Sequence, residues 1–238
     1  MDDPEQLAAA LVTQGAPFVL AAIERDGDTA TRVVRVFEQW CSGWVVSDRA
    51  DEPELRLHAA QGVHDAKPQV PLFARTLAAA IVALPEGHAE RDLDLARALV
   101  GRCLADARAK GDVDEELRLL AIVLEGDLEP EAETLIARGD ALAAERPGGA
   151  ANLFLGAARG HAMGRLSDAE EARDADGVKR WAAVVAERSA AYGTDDLDAA
   201  LALQAAGRWA EAAERWGAVV AAGDLATTPI QQLSLIHI

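Results

Sequence analysis

Lysine is nearly absent from this chain of 238 residues. Lys67, Lys110 and Lys179 stand against twenty arginines, which reads as the codon bias of a GC-rich bacterial genome. Carboxylates outnumber basic side chains by 40 to 23, for a formal charge of −17. Sequence-independent nucleic-acid binding needs Lys and Arg to neutralise phosphates, so this balance argues against it, and it also disfavours an anionic membrane surface. Cysteine is scarce: Cys41 and Cys103 lie far apart with no CxxC, the pattern of buried free thiols in a reducing cytoplasm. No apolar run reaches the roughly 18 residues of a membrane span. Met1-Asp2-Asp3 is acidic where a secretory leader carries basic residues, so the expected location is the cytoplasm. Aromatics make up only 4% of the residues.

Alanine fills the space that the missing residues leave. It is the strongest helix former and lets helices approach closely, so the composition favours packed helices over sheets. Along the chain the periodicity predicts helices and short turns. Asp3-Pro4-Glu5-Gln6 opens a helix that stops at Gly15, and Pro17 begins another that ends at Asp26-Gly27-Asp28. A third runs from Thr31 to Cys41, and Trp44-Val45-Val46 is the one short extended stretch. Asp51-Glu52-Pro53-Glu54 starts a fourth helix, expected to end near Gly62. The two prolines between His64 and Pro71 suggest a boundary, giving an N-terminal helical segment over 1–66 and a helical array over 67–232.

Within that array, Pro71 to Leu84 reads as a helix buried almost all round. A long helix is expected from Ala89 to Lys110, stopping at Gly111. Asp112 with Glu115 then caps a helix whose inner face is Leu117, Leu120 and Val123. Pro130 starts a helix toward Arg146. Glycines 156, 160 and 164 recur every four residues and are expected to let a neighbouring helix come close. Ser167 with Glu170 is read as a capping box opening a short helix, broken by Asp174, Asp176 and Gly177.

Residues 194–222 carry the clearest pattern. Thr194 and two aspartates precede Leu197, Leu201 and Leu203, which with the alanines between them read as a small apolar face of helical period. Gly207 stands where a helix C-terminus favours glycine. Beyond it, Trp209, Ala212, Ala213, Trp216 and Val219 recur at three and four residues, one stripe with two large rings beside small residues. The whole reads as a helical hairpin.

Gly207, Trp209, Ala212, Trp216 and Val219 stand at the offsets of the turn glycine, aromatic, small residue, second aromatic and following small apolar residue of a tetratricopeptide repeat (TPR). The hairpin therefore resembles that family over about one repeat. It departs from the family in lacking the closing proline, and Asp196, Ala199 and Ala200 stand where an early Trp and a Leu-Gly pair would fall. The run Arg180-Trp181-Ala182-Ala183-Val184-Val185-Ala186 returns as Arg215-Trp216-Gly217-Ala218-Val219-Val220-Ala221, 35 residues on. Gly164-Arg165-Leu166 with Ala169 echoes Gly207-Arg208-Trp209 with Ala212 at a spacing of 43, which would place an insertion around 172–179. The resemblance implies an all-α fold of antiparallel helix hairpins stacked as an α-solenoid, with about three repeats or more needed for stability.

Leu233 to Ile238 reads LSLIHI, the translation of a common transposase adapter end (CTG TCT CTT ATA CAC ATC). These residues are expected to be non-native, and the natural chain to continue beyond Gln232.

Motifs that carry chemistry are missing. There is no phosphate-binding P-loop, no GxSxG and no HExxH. His58 and His64 are six residues apart and share no helical face; His88, Glu90 and Asp92 read as a solvated helix start. Asp174-x-Asp176-Gly177 looks like part of a calcium loop, but Ala172 and Ala183 occupy its first and twelfth ligand places. No catalytic, cofactor-binding or metal-binding residue is expected, and no cofactor. What the TPR resemblance implies is a non-catalytic scaffold for a protein or peptide partner, in a larger bacterial regulatory protein. Its first helix would offer Leu197, Leu201 and Gln204. With a single asparagine, Asn152, the Lys/Asn carboxylate clamp of some TPR proteins is not expected. The alternative is the helical portion of an enzyme or ligand sensor whose active site lies in the missing part.

Overall fold

The computed structural model describes residues 10, 13–24, 28–42, 52–129, 132–192 and 196–222. They form eleven α-helices, with no strand among the described residues. The expected helix start at Pro4, the extended stretch at 44–46, the start at Pro130 and residues 223–238 lie outside them. The chain divides into two compact units, Met1–Leu142 and Ala143–Ile238.

The first unit holds α1 (Ala16–Glu24), α2 (Asp28–Cys41), α3 (Glu52–Ala66), α4 (Pro71–Val82), α5 (Leu93–Lys110) and α6 (Val113–Glu125), and α7 (Ala132–Glu145) begins in it. Among the described residues α1 packs on α2 and α3, α2 on α3 and α4, α4 on α3, α5 and α6, and α5 on α6. Contacts thus join helices one or two places apart in sequence. α3 and α4, on either side of the proline-bearing stretch, pack directly on each other.

α4 is the centre of this unit, and its sequence says why. Pro71 sits in the first turn, where the missing N–H is no loss. Nine of the twelve residues are buried, Phe73, Leu77 and Ile81 among them. α6 is nearly as dry: Leu117, Leu120 and Val123 are buried as the pattern requires, and so are Leu119, Ala121, Ile122 and Leu124. Trp40 and Phe37 of α2 and Val63 of α3 complete the core.

Three expected helix limits need correction. α3 does not stop at Gly62 but continues to Ala66. A Cβ on Gly62 would lie 2.8 Å from the Cβ of Ala16, so this glycine serves the close approach of α1 to α3 rather than a stop. α5 starts at Leu93, not at Ala89, because Asp92 Oδ1 accepts the Leu95 N–H at 2.9 Å and fixes the N-cap there. The residues before it turn instead, through Gly87 at φ +80°. Ser167 opens no helix either, since it lies inside α8, and the chain breaks only at Arg173.

The breaks share one device. After α5, α6, α8 and α10 a residue with positive φ follows the helix: Gly111 (+66°), Asp127 (+46°), Arg173 (+55°) and Gly207 (+74°). In each case the next N–H reaches back five residues in Schellman fashion: Asp112 to Ala107 O, Leu128 to Val123 O, Asp174 to Ala169 O and Arg208 to Leu203 O, all at 2.9 Å. The chain therefore reverses at set points.

The second unit holds α8 (Gly149–Glu171), α9 (Ala175–Tyr192), α10 (Asp196–Ala205) and α11 (Trp209–Ala222). Each packs on the next in sequence. Its core joins Ala162 of α8, Val185 and Ala186 of α9, Ala202 and Leu203 of α10 and Ala212 of α11, with Leu166, Trp181, Val184 and Trp216 packed against them. Gly160 and Gly164 admit no close neighbour: a Cβ on either would meet nothing within 4 Å. The expectation that they bring a helix close is corrected, because they face open space.

Candidate functional site

The hairpin of α10 and α11 is the element that the sequence singles out. Its turn is set locally: the Gly207 N–H donates to Gln204 O at 3.0 Å, and glycine takes the left-handed φ at little cost. Arg208 then ties the start of α11 with a bidentate pair to Glu211, Nε to Oε1 at 2.8 Å and Nη2 to Oε2 at 2.7 Å. Those hydrogen bonds hold the Glu211 carboxyl below its ordinary range, against the opposing effect of desolvation.

The two leucines expected to share a face of α10 do not. Residues 201 and 203 are two apart, about 200° around a helix, so Leu203 is buried while Leu201 is 41% exposed. Ala200, three places before Leu203, shares the buried side. Gln204 is half-buried. The side chains of Leu197 and Val219 lie outside the described residues.

On α11 the expected stripe splits along its length instead. Ala212 is buried and Trp216 packs on the core cluster, with its indole nitrogen buried. Trp209, expected on that stripe, is 56% exposed. A seven-residue separation leaves the two rings near one another in angle, but Trp209 opens the helix, one turn beyond the Ala202–Ala212 packing. Trp209 shares its side of α11 with the exposed Ala210, Ala213 and Gly217. α11 thus carries exposed apolar residues at its first turn and beside its packed stripe.

Neither cysteine has the lowered thiol of an activated nucleophile. Cys41 is buried and its thiol is pushed well above its ordinary range, first by burial, with Glu38 adding and Arg56 opposing. Burial raises the Cys103 thiol as well. The described histidines are dispersed. His58 Nε2 lies 3.9 Å from Glu90, His88 Nε2 lies 3.3 Å from Glu54, and His64 is mostly buried beside Asp65. His161 meets the edge of Trp181, with centroids 6.3 Å apart. Asp174 is a helix cap, its Oδ1 accepting the Gly177 N–H at 3.0 Å. Among the described residues no group of three or more His, Cys, Asp and Glu stands where it could hold a metal ion. No described helix is long and apolar enough to cross a membrane.

Sequence reasoning missed a set of ion pairs built on two buried charges, Arg75 and Glu116, in the first unit. Arg75, in the middle of the apolar α4, pairs with Glu38 of α2 and Glu115 of α6. The adjacent Glu116 accepts from Arg108 Nε of α5 at 2.7 Å and from both Nε and Nη2 of Arg138 on α7, the latter at 2.8 Å. The signal was a lone arginine in an otherwise apolar helix. All of these groups are matched with opposite charges, so they join helices together. No family model matches the chain, and neither does any curated protein or solved structure.

Proposed function

We propose that this chain is a non-catalytic helical repeat scaffold, TPR-like in its hairpins, that binds a protein or peptide as part of a larger bacterial regulatory protein of the cytoplasm. The observation that carries the reading is the exposure of Leu201 and Trp209 on a hairpin that packs through Leu203 and Ala212. Large apolar side chains held in water on a rigid hairpin serve recognition better than stability. Packing confined, among the described residues, to helices one or two places apart supports the repeat reading, because stacked hairpins bury their apolar faces on neighbours in sequence. Gln204, half-buried on α10, would supply a polar contact at the edge of this surface.

The test is selection of binding peptides from a displayed library with the purified chain as bait, followed by affinity measurement. Leu201→Glu and Trp209→Glu should each weaken a selected peptide about tenfold or more while leaving the circular dichroism unchanged. Gly101→Ala, on an exposed face of α5, should leave binding as it was. Selected peptides indifferent to both glutamates would overturn the surface, and failure to select any peptide would overturn the binding role.

A further inference from the structure

We draw no further inference here: the strongest candidate, the exposed face of α11 in the second unit formed by Trp209, Ala210, Ala213 and Gly217, is an unpartnered apolar surface, and nothing in the structure shows what covers it.

Discussion

The indole N–H of Trp40 donates to Glu52 Oε1 at 2.8 Å, and both residues are buried, at 1% and 2% exposure. Arg56, one turn further along α3, lies 3.0 Å from the same oxygen. A carboxylate at the start of α3 thus satisfies a core ring of α2 and a nearly buried guanidinium at once. Glu52→Ala removes the acceptor that the two share, and breaking a buried pair in this way costs about 3–5 kcal/mol. Glu52→Gln keeps an oxygen for the indole and should lose less. Equilibrium urea denaturation of the two variants checks the order, and equal midpoints for Ala and Gln would contradict it.

Glu116 predicts the acid side of the stability profile. The hydrogen bonds from Arg138, with those from Arg108, hold its carboxyl below the ordinary range, against the opposing effect of burial. Its folded value therefore lies below its unfolded one. The stabilisation is fully present above the unfolded value of about 4.3 and is lost as the pH falls through the folded value. Replacement by glutamine removes charged acceptors, each hydrogen bond being worth about 1.5–3 kcal/mol, and should flatten this part of the curve. Denaturation midpoints measured from neutral pH into the acid range, for the natural chain and Glu116→Gln, give the comparison.

Two glycines inside helices should respond to alanine with opposite signs. Gly101, in α5, faces open space, so Gly101→Ala gains helix propensity of about 1 kcal/mol. At Gly62 the new Cβ would lie 2.8 Å from that of Ala16, a contact with no flexible end to move. Gly62→Ala should therefore be destabilising by about 1–3 kcal/mol, and Ala16→Gly should recover part of the loss. Thermal unfolding of the three variants and the double variant decides it.

The two rings of the last hairpin should differ in the same assay. Trp216 packs on the cluster of Leu203, Ala202 and Ala212, so Trp216→Ala removes contacts worth about 3 kcal/mol. Trp209→Ala touches an exposed side chain and should stay within about 0.5 kcal/mol.

Residues that act on their own neighbours were the legible ones. Asp112 was readable as a cap because its carboxylate serves an N–H three residues on, and Gly207 because a left-handed turn wants glycine locally. The burial of Leu117, Leu120 and Val123 followed from their spacing. Gly62, Gly160 and Gly164 were misread because the sequence alone does not distinguish a glycine that admits a neighbour from one that faces water. Ser167 looked like a cap, yet the end of α8 is fixed further on by Arg173 and Asp174.

At the candidate surface, the limit was the orientation of the hairpin. Period alone placed Trp209 on the apolar stripe; which end of that stripe the core covers depends on where α9 and α10 lie. Arg75 was passed over for a related reason. Its partners Glu38 and Glu115 are 37 and 40 residues away, and only packing of α2, α4 and α6 brings them to it.

The measurement that tests the hairpin most directly is the solvent accessibility of the indole N–H groups in the intact chain. It can be read from ¹⁵N spectra in the presence of a soluble paramagnetic agent, with the signals assigned through Trp209→Phe and Trp216→Phe. Trp216 packed on the core cluster and Trp209 exposed at the start of α11 predict strong broadening of the Trp209 signal and protection of the Trp216 signal. Equal broadening of the two, or the reverse order, would contradict the account.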